Sequence, residues 1–164
     1  MTTQTTASES TLVKLSLLTP ISGEALPITQ HKDPAISHGL QGQGIMIAPL
    51  GSRIIAPCSG IITAKSATNH QLTIQVAHGA LLEITCGYNA IKTHGVGFVS
   101  HVQIGQHVKT GDTLVELDLL NIKHQISHFH VALLMTNGIV KTRPVYGAVR
   151  ANEDIVLTAI IKPK

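Results

Sequence analysis

The chain of 164 residues contains no tryptophan, two phenylalanines and two tyrosines. Proteins that bind single-stranded nucleic acid stack bases on aromatic platforms set in basic grooves, and four scattered aromatic residues provide no such platform. Charge points the same way. Twelve Lys and Arg stand against nine Asp and Glu, for a formal net charge of +3, and the basic residues are dispersed with no run that follows a phosphate backbone. Nucleic acid is therefore not an expected partner. Cysteine is also scarce: Cys58 and Cys86 form no CxxC and lie far apart, which excludes a zinc knuckle and a disulfide framework. Both read as small buried apolar residues. No apolar run approaches the roughly 20 residues needed to cross a bilayer, and the opening MTTQTTASES has neither a basic n-region nor an apolar h-region. The expectation is a soluble, cytoplasmic protein without direct membrane insertion.

What is present is aliphatic. Hydrophobic residues make up 43% of the chain, enough for one compact core and too little for two large domains. Ile, Val and Thr account for 48 residues, a β-branched enrichment that favours pleated sheet over helix. Residues 1–13 are rich in Thr, Ser and Gln and read as a flexible tail, leaving residues 14–164 as the domain. Turn signals punctuate that domain at Ser22-Gly23, Gly42-Gln43-Gly44, Ser59-Gly60, Gly105-Gln106, Thr110-Gly111-Asp112 and Asn137-Gly138.

Between the turns the periodicity is that of strands. Leu72-Thr73-Ile74-Gln75-Val76 alternates strictly. Ala80, Leu82, Ile84 and Cys86 share one face of the next strand, and Leu81, Glu83 and Thr85 share the other. Leu114 to Leu117 and Ile155 to Ile161 read as strands, and Leu119 to about Gln125 as the one appreciable helical turn. Pro20-Ile21-Ser22-Gly23 and Ala56-Pro57-Cys58-Ser59-Gly60 resemble each other, as a duplicated hairpin would, or as Pro and Gly punctuate any all-β chain.

The order of motifs is specific where each motif is weak. TPISGEALPI, DPAISHGLQGQGIMIAP, IIAPCSGIITA, TNHQLTI, THGVGFVSHV, GQHVKTGDTLVELDL, LLMTNG and GAVRANEDIVLTAIIK follow one another from Leu18 to about Lys162. In this order they resemble the glucose-family IIA domain of the bacterial phosphoenolpyruvate:sugar phosphotransferase system. The resemblance implies an all-β antiparallel sandwich of the duplicated-hairpin type with at most one or two short helical turns. It also implies a shallow face that docks a phosphocarrier protein and a IIB domain, and no cofactor.

That family uses two facing histidines, one accepting phosphate and the other steadying it. The resemblance places the supporting histidine at His70, with Thr68 beside it in Thr68-Asn69-His70, and places the acceptor position at Thr85 within GALLEITCG. Imidazole suits a relay because a phosphoramidate is labile, whereas a Thr hydroxyl needs a base and its phosphate ester is stable. On the same face Glu83 stands where the family has an apolar, usually aromatic, residue. Two like charges roughly 5 Å apart repel by several kcal/mol at an effective dielectric of about 20, so Glu83 opposes a phosphoryl group there. Further family positions on the binding face correspond to Cys86, Gln43, Asn89, Val96 and Phe98; Gln43, Asn89 and Val96 stand at acidic positions of the family.

The reading is of a IIA-like protein that has lost phosphoryl relay and binds protein partners, phosphocarrier or IIB-like proteins among them, through the former active-site face. The alternative is a working phosphocarrier that uses His70. A third reading comes from SHFHVALLMTNG, which superficially resembles the His-x-His strand of lysostaphin-type zinc peptidases, and from the His-x3-His spacing of His124 and His128, which on a helix would share one face; His124, His128 and His130 are thus weak metal candidates. A catalytic zinc needs three protein ligands, and no histidine here is followed by Asp at the His-x3-Asp spacing of those peptidases. His31, His38, His94, His101 and His107 fall in or beside turns and read as surface residues, as does His78 at a strand tip. Asp112 reads as a turn cap, and Glu116 and Asp118 as solvated residues on a strand edge.

Overall fold

The structure, a computed structural model, describes residues 12–162. Its strands are β1 (Val13–Leu18), β2 (Gly23–Pro27), β3 (Gln43–Pro49), β4 (Arg53–Ile55), β5 (Gly60–Lys65), β6 (Gln71–Gln75), β7 (Leu81–Cys86), β8 (Phe98–Ser100), β9 (His107–Val108), β10 (Thr113–Leu117), β11 (Val131–Met135), β12 (Ile139–Pro144), β13 (Gly147–Val149) and β14 (Ile155–Ile161). Two short helices, α1 (Pro34–Ser37) and α2 (Leu119–Gln125), and three 3-10 turns, at Ile28–Gln30, Ala77–Gly79 and Ala90–Thr93, complete it. The tail expected over residues 1–13 lies, up to Thr11, outside the described residues. Among the described residues no helix is long and apolar enough to cross a membrane.

Every strand pairing is antiparallel. One sheet runs β13-β2-β3-β11-β7-β6-β5-β9, and two three-stranded sheets run β1-β14-β12 and β4-β10-β8. This order is a palindrome. Exchanging β1, β2, β3 and β11 to β14 for β4, β5, β6 and β7 to β10 maps every pairing onto another, with β11-β7 mapping onto itself.

Hydrogen bonds at the two crossings repeat the exchange. Leu18 N donates to Pro57 O at 3.0 Å, and Ile55 N donates to Pro20 O at 2.9 Å. Thr19 N reaches Asp154 O as Ala56 N reaches Asp112 O, both at 2.8 Å. The carboxylates of Asp112 and Asp154 accept from Lys109 N and Arg150 N at 2.8 Å and 2.7 Å. Of the two readings of the Pro-Gly stretches, duplication is the one the structure bears out. Glycine is required at both crossings, since a Cβ on Gly23 would sit 2.1 Å from Ala48 O and one on Gly60 2.4 Å from Gln75 O. Gly23 and Gly60 are thus the first residues of strands, there for close approach of a neighbouring backbone. Gln43 and Gly44 also belong to β3, paired with Met135 and Leu134, and only Gly42 stays outside the strand.

The core follows the alternation read from the sequence. Leu72, Ile74, Leu82, Ile84 and Cys86 are buried, together with Ile45, Ile47, Leu133, Leu157 and Leu114 from the other strands. Each buried side chain of Val, Leu or Ile size contributes about 1.5–3 kcal/mol. The outward face of β7 is thereby left to Leu81, Glu83 and Thr85, all half-buried. A second, small cluster lies outside the main core: Ile36 of α1, with Ile28, packs on Ala132 and Leu134 of β11.

Candidate functional site

The turn between β5 and β6 holds His70. Ser66 N donates to Gln71 O at 2.8 Å and Asn69 N to Ser66 O at 3.0 Å, while Asn69 takes a left-handed conformation (φ 62°) that Asn tolerates. Within this turn the Nδ1 atom of His70 is engaged by Thr68 Oγ1, and by Ser66 Oγ at 3.3 Å. The Ser66 hydroxyl also accepts from Gln71 N at 3.1 Å, which ties the imidazole to the start of β6. Among the described residues Nε2 has no protein hydrogen-bond partner. Burial lowers the His70 pKa below its ordinary value, so the ring is neutral at pH 7.

Strand β7 delivers the other half of the site. Cys86 N donates to His70 O at 2.7 Å, and the register pairs Thr85 with Gln71 and Glu83 with Thr73. Thr85 Oγ1 donates to Glu83 Oε1 at 2.9 Å along the strand. His70 and Thr85 line one cavity of about 280 Å³, shared with Asp33, Gln41, Gln71, Tyr88, Asn89 and Ile91 among others. Asp33 is delivered by α1, whose N-cap it is: its side chain accepts from Ala35 N at 3.0 Å, and Pro34 follows as the first helical residue.

Of the residues singled out in the sequence, the structure thus gathers His70, Thr68, Thr85, Glu83 and Asn89. Gln43 is elsewhere: its side chain accepts from Thr142 Oγ1 at 3.4 Å and lines a separate cavity. Val96 is exposed, in a loop whose Gly95 lies against Thr68. Cys86 and Phe98 are corrections. Both are core residues, Cys86 because it alternates with Thr85 and so points inward, and Phe98 because it stacks edge-on against Phe129 at 6.1 Å. Burial pushes the thiols of Cys58 and Cys86 up to about 12, so neither is a nucleophile at neutral pH.

His31 is a third correction. It is only 6% exposed, because the segment 28–42 folds over the sheet and its Nδ1 accepts from Asp33 N at 3.0 Å. His38, His78, His94, His101 and His107 are exposed, and His101 meets Glu116 at 3.0 Å. Asp118 caps α2 by accepting from Asn121 N at 3.2 Å. His124 and His128 do not share a helical face, since the backbone is already extended at Ile126. Among the described residues no three His, Cys, Asp or Glu side chains are placed to hold a metal ion.

Ser66, Asp33, Gln41 and Tyr88 escaped the sequence reading. Asp33-Pro34 is a helix-start signal and would have revealed α1. Nothing local marks Gln41 as lying beside His70, because that juxtaposition depends on how the segment 28–42 folds back.

With this geometry in view, residues 15–139 match the family model described as phosphoenolpyruvate-dependent sugar phosphotransferase system, EIIA 1. The chain is 31% identical over 156 residues to the PTS system glucose-specific EIIA component of Haemophilus influenzae, covering 92% of each. It is 34% identical over 131 residues to the raffinose carrier protein of Pediococcus pentosaceus, of which it spans only 20%. Its fold matches the glucose permease IIA from Mycoplasma capricolum with a TM-score of 0.84 at 26% identity, covering 89% of this chain and 96% of that one.

Proposed function

Because this chain belongs to the glucose-type IIA family of the phosphoenolpyruvate-dependent sugar phosphotransferase system, we propose that it has lost phosphoryl relay and acts in the cytoplasm as a protein-binding, regulatory module. The face concerned is the one around His70, Glu83 and Thr85. One observation carries the reading: at the position where the resemblance puts the second imidazole, the Thr85 hydroxyl donates to the Glu83 carboxylate at 2.9 Å. Even with the carboxylate placed to take the hydroxyl proton, a phosphate ester on Thr85 is stable and does not pass its phosphoryl group on to a next carrier. The carboxylate also brings negative charge to the place where a phosphoryl group would have to arrive. Partners docking here meet a neutral His70 and a Thr-Glu pair that no phosphate exchange switches.

A second reading rests on the free Nε2 of His70. With Nδ1 held by Ser66 and Thr68, Nε2 is the nitrogen available to a phosphoryl donor. Phosphate on it would be unpaired by a second imidazole. Incubation with radiolabelled phosphoenolpyruvate and the general carrier proteins, followed by mass spectrometry, separates the two. The expected result is an unmodified protein, with label gained when Thr85→His and Glu83→Phe are introduced together. Acid-labile phosphate on His70 of the native chain, abolished by His70→Ala, overturns the proposal in favour of the second reading.

A further inference from the structure

Residues 28–42, between β2 and β3, supply Asp33, Ile36 and Gln41 to the wall of the His70 cavity. Among the described residues, the hydrogen bonds made by residues 31–41 all end within 28–41. His31 N donates to Ile28 O, Ile36 N and Ser37 N to Asp33 O, and Leu40 N and Gln41 N to Ala35 O. Apolar contact therefore holds this part of the chain to the sheet, through Ile28 and Ile36 on Ala132 and Leu134 of β11. A segment with few buried contacts and no ladder shared with its neighbours opens ahead of the rest of a fold.

His31 stands at the foot of the segment. It is 6% exposed, and its Nδ1 accepts from Asp33 N at 3.0 Å. Asp33 in turn caps α1 by accepting from Ala35 N at 3.0 Å. The imidazole thus fixes the residue from which a four-residue helix starts, and a helix so short has no stability apart from its surroundings. The charged and titratable groups in electrostatic reach of His31 are Asp33, which favours the protonated ring, and His130, which opposes it; His130 is itself acted on by His128 and Lys32. Burial is the largest influence on His31 and keeps the ring neutral at pH 7. An imidazolium carries a proton on both nitrogens. On gaining one, His31 loses its acceptor, meets Asp33 N–H donor to donor, and leaves a charge where water hardly reaches. Swinging out into solvent relieves all three.

We propose that the segment 28–42 is an acid-released wall of the His70 cavity. With His31 neutral it lies on β11 and closes one side of the cavity; with His31 protonated it lifts, withdrawing Asp33, Ile36 and Gln41 and baring Ala132 and Leu134. Because the closed state holds the His31 proton less tightly than the open one, opening gains ground as pH falls below 6.5. The regulatory meaning rests on the proposed binding role of this face: a partner shaped to the closed wall binds at neutral pH and is released in acid.

The test is amide hydrogen exchange on the full chain followed by NMR, expressed as protection relative to the unstructured rate at each pH, with the ring titration of every histidine measured alongside. Between about pH 7.5 and about pH 5, protection at Ile36, Ser37 and Leu40 falls by roughly tenfold or more, while Ile84 and Leu133 in the strands keep theirs. The amides of Thr85 and Asn89, across the cavity, shift with the same midpoint, and that midpoint is the titration of His31. In His31→Asn, whose amide oxygen accepts from Asp33 N without titrating, protection stays at its neutral value throughout, whereas His130→Gln responds as the native chain does. Protection that is flat with pH in the native chain, a fall shared equally by the strands, a midpoint at another histidine's titration, or an undiminished response in His31→Asn overturns the proposal. Thr85 and Asn89 amides that do not shift overturn the link to the cavity. The titration of the native chain decides even where a variant does not fold. Label on His70 in the phosphotransfer assay overturns the binding role and leaves the exchange result untouched, so the two failures are distinguishable.

Discussion

Strands β7 and β11 lie side by side at the centre of the eight-stranded sheet and are exchanged by its internal symmetry, yet their outer faces differ in chemistry. In register, Thr85 of β7 stands opposite Ala132 of β11, and Glu83 opposite Leu134. Ala132 and Leu134 are covered by Ile28 and Ile36 from the long segment between β2 and β3. The equivalent connection between β5 and β6 is the short turn that holds His70, and among the described residues nothing comparable folds back over β7. A sheet face buried on both sides can be apolar throughout, while one left open must be polar. The site therefore lies on the half that was never covered, and the covered half supplies its wall through Asp33, Ile36 and Gln41.

The comparison is broken most severely by moving the chemistry of one half onto the other. Leu134→Glu places on β11 the residue that β7 carries at the paired position, but beneath Ile36 with no water and no donor. A buried, unpaired carboxylate costs about 3–5 kcal/mol, a large share of the roughly 5–15 kcal/mol that holds a domain folded, so the urea midpoint should fall sharply. A loss below about 1 kcal/mol would show that the segment 28–42 does not seal the sheet.

Acid should act on the same half more gently. His31 and His130 are held below the ordinary imidazole value of 6.5, by burial first and then by neighbouring charge. The unfolded chain therefore binds more protons than the folded one in mild acid. Stability is complete above pH 6.5 and declines as pH falls through the lower folded values. Protonating Nδ1 of His31 also removes the acceptor for Asp33 N. Guanidinium midpoints measured on either side of that range should draw closer in His31→Asn, whose amide oxygen accepts without titrating, leaving the contribution of His130. An unchanged pH slope in that variant would place the acid sensitivity elsewhere.

How much of this was legible differs between the halves for a physical reason. The alternation of β6 and β7 is a local period, so the placement of Glu83 and Thr85 on one face was readable, as were α2 and β14. The all-β class followed from the β-branched composition. The ordered motifs carried the family, and with it the pairing of His70 with Thr85. Apolar runs such as Val131 to Met135 do not reveal what covers them, since strands buried on both faces have no period. The folded-back segment, the burial of His31 and the contribution of Gln41 to the cavity arise from that covering. Phe98 was misplaced because nearness to a motif in sequence says nothing about which face a side chain takes, whereas for Cys86 the strand alternation had already given the inward face that its family position on the docking face contradicts.

The smallest expected effect falls on the open half. Thr85→Val removes the donor to Glu83 Oε1 while keeping shape and β-propensity. Glu83 is half-buried, so water can replace the lost partner, and the cost should stay below about 1 kcal/mol. Glu83→Gln, which removes the charge and keeps an oxygen that accepts, should be closer still to neutral. Denaturation curves for the pair measure how open the face is. If Thr85→Val costs about 3 kcal/mol, the penalty of leaving a carboxylate without water or donor, then Glu83 is as sealed as Leu134, and the two halves differ in residue type and not in exposure. A face sealed in that way would have no room for a partner, so the measurement also bounds the docking role proposed for His70, Glu83 and Thr85.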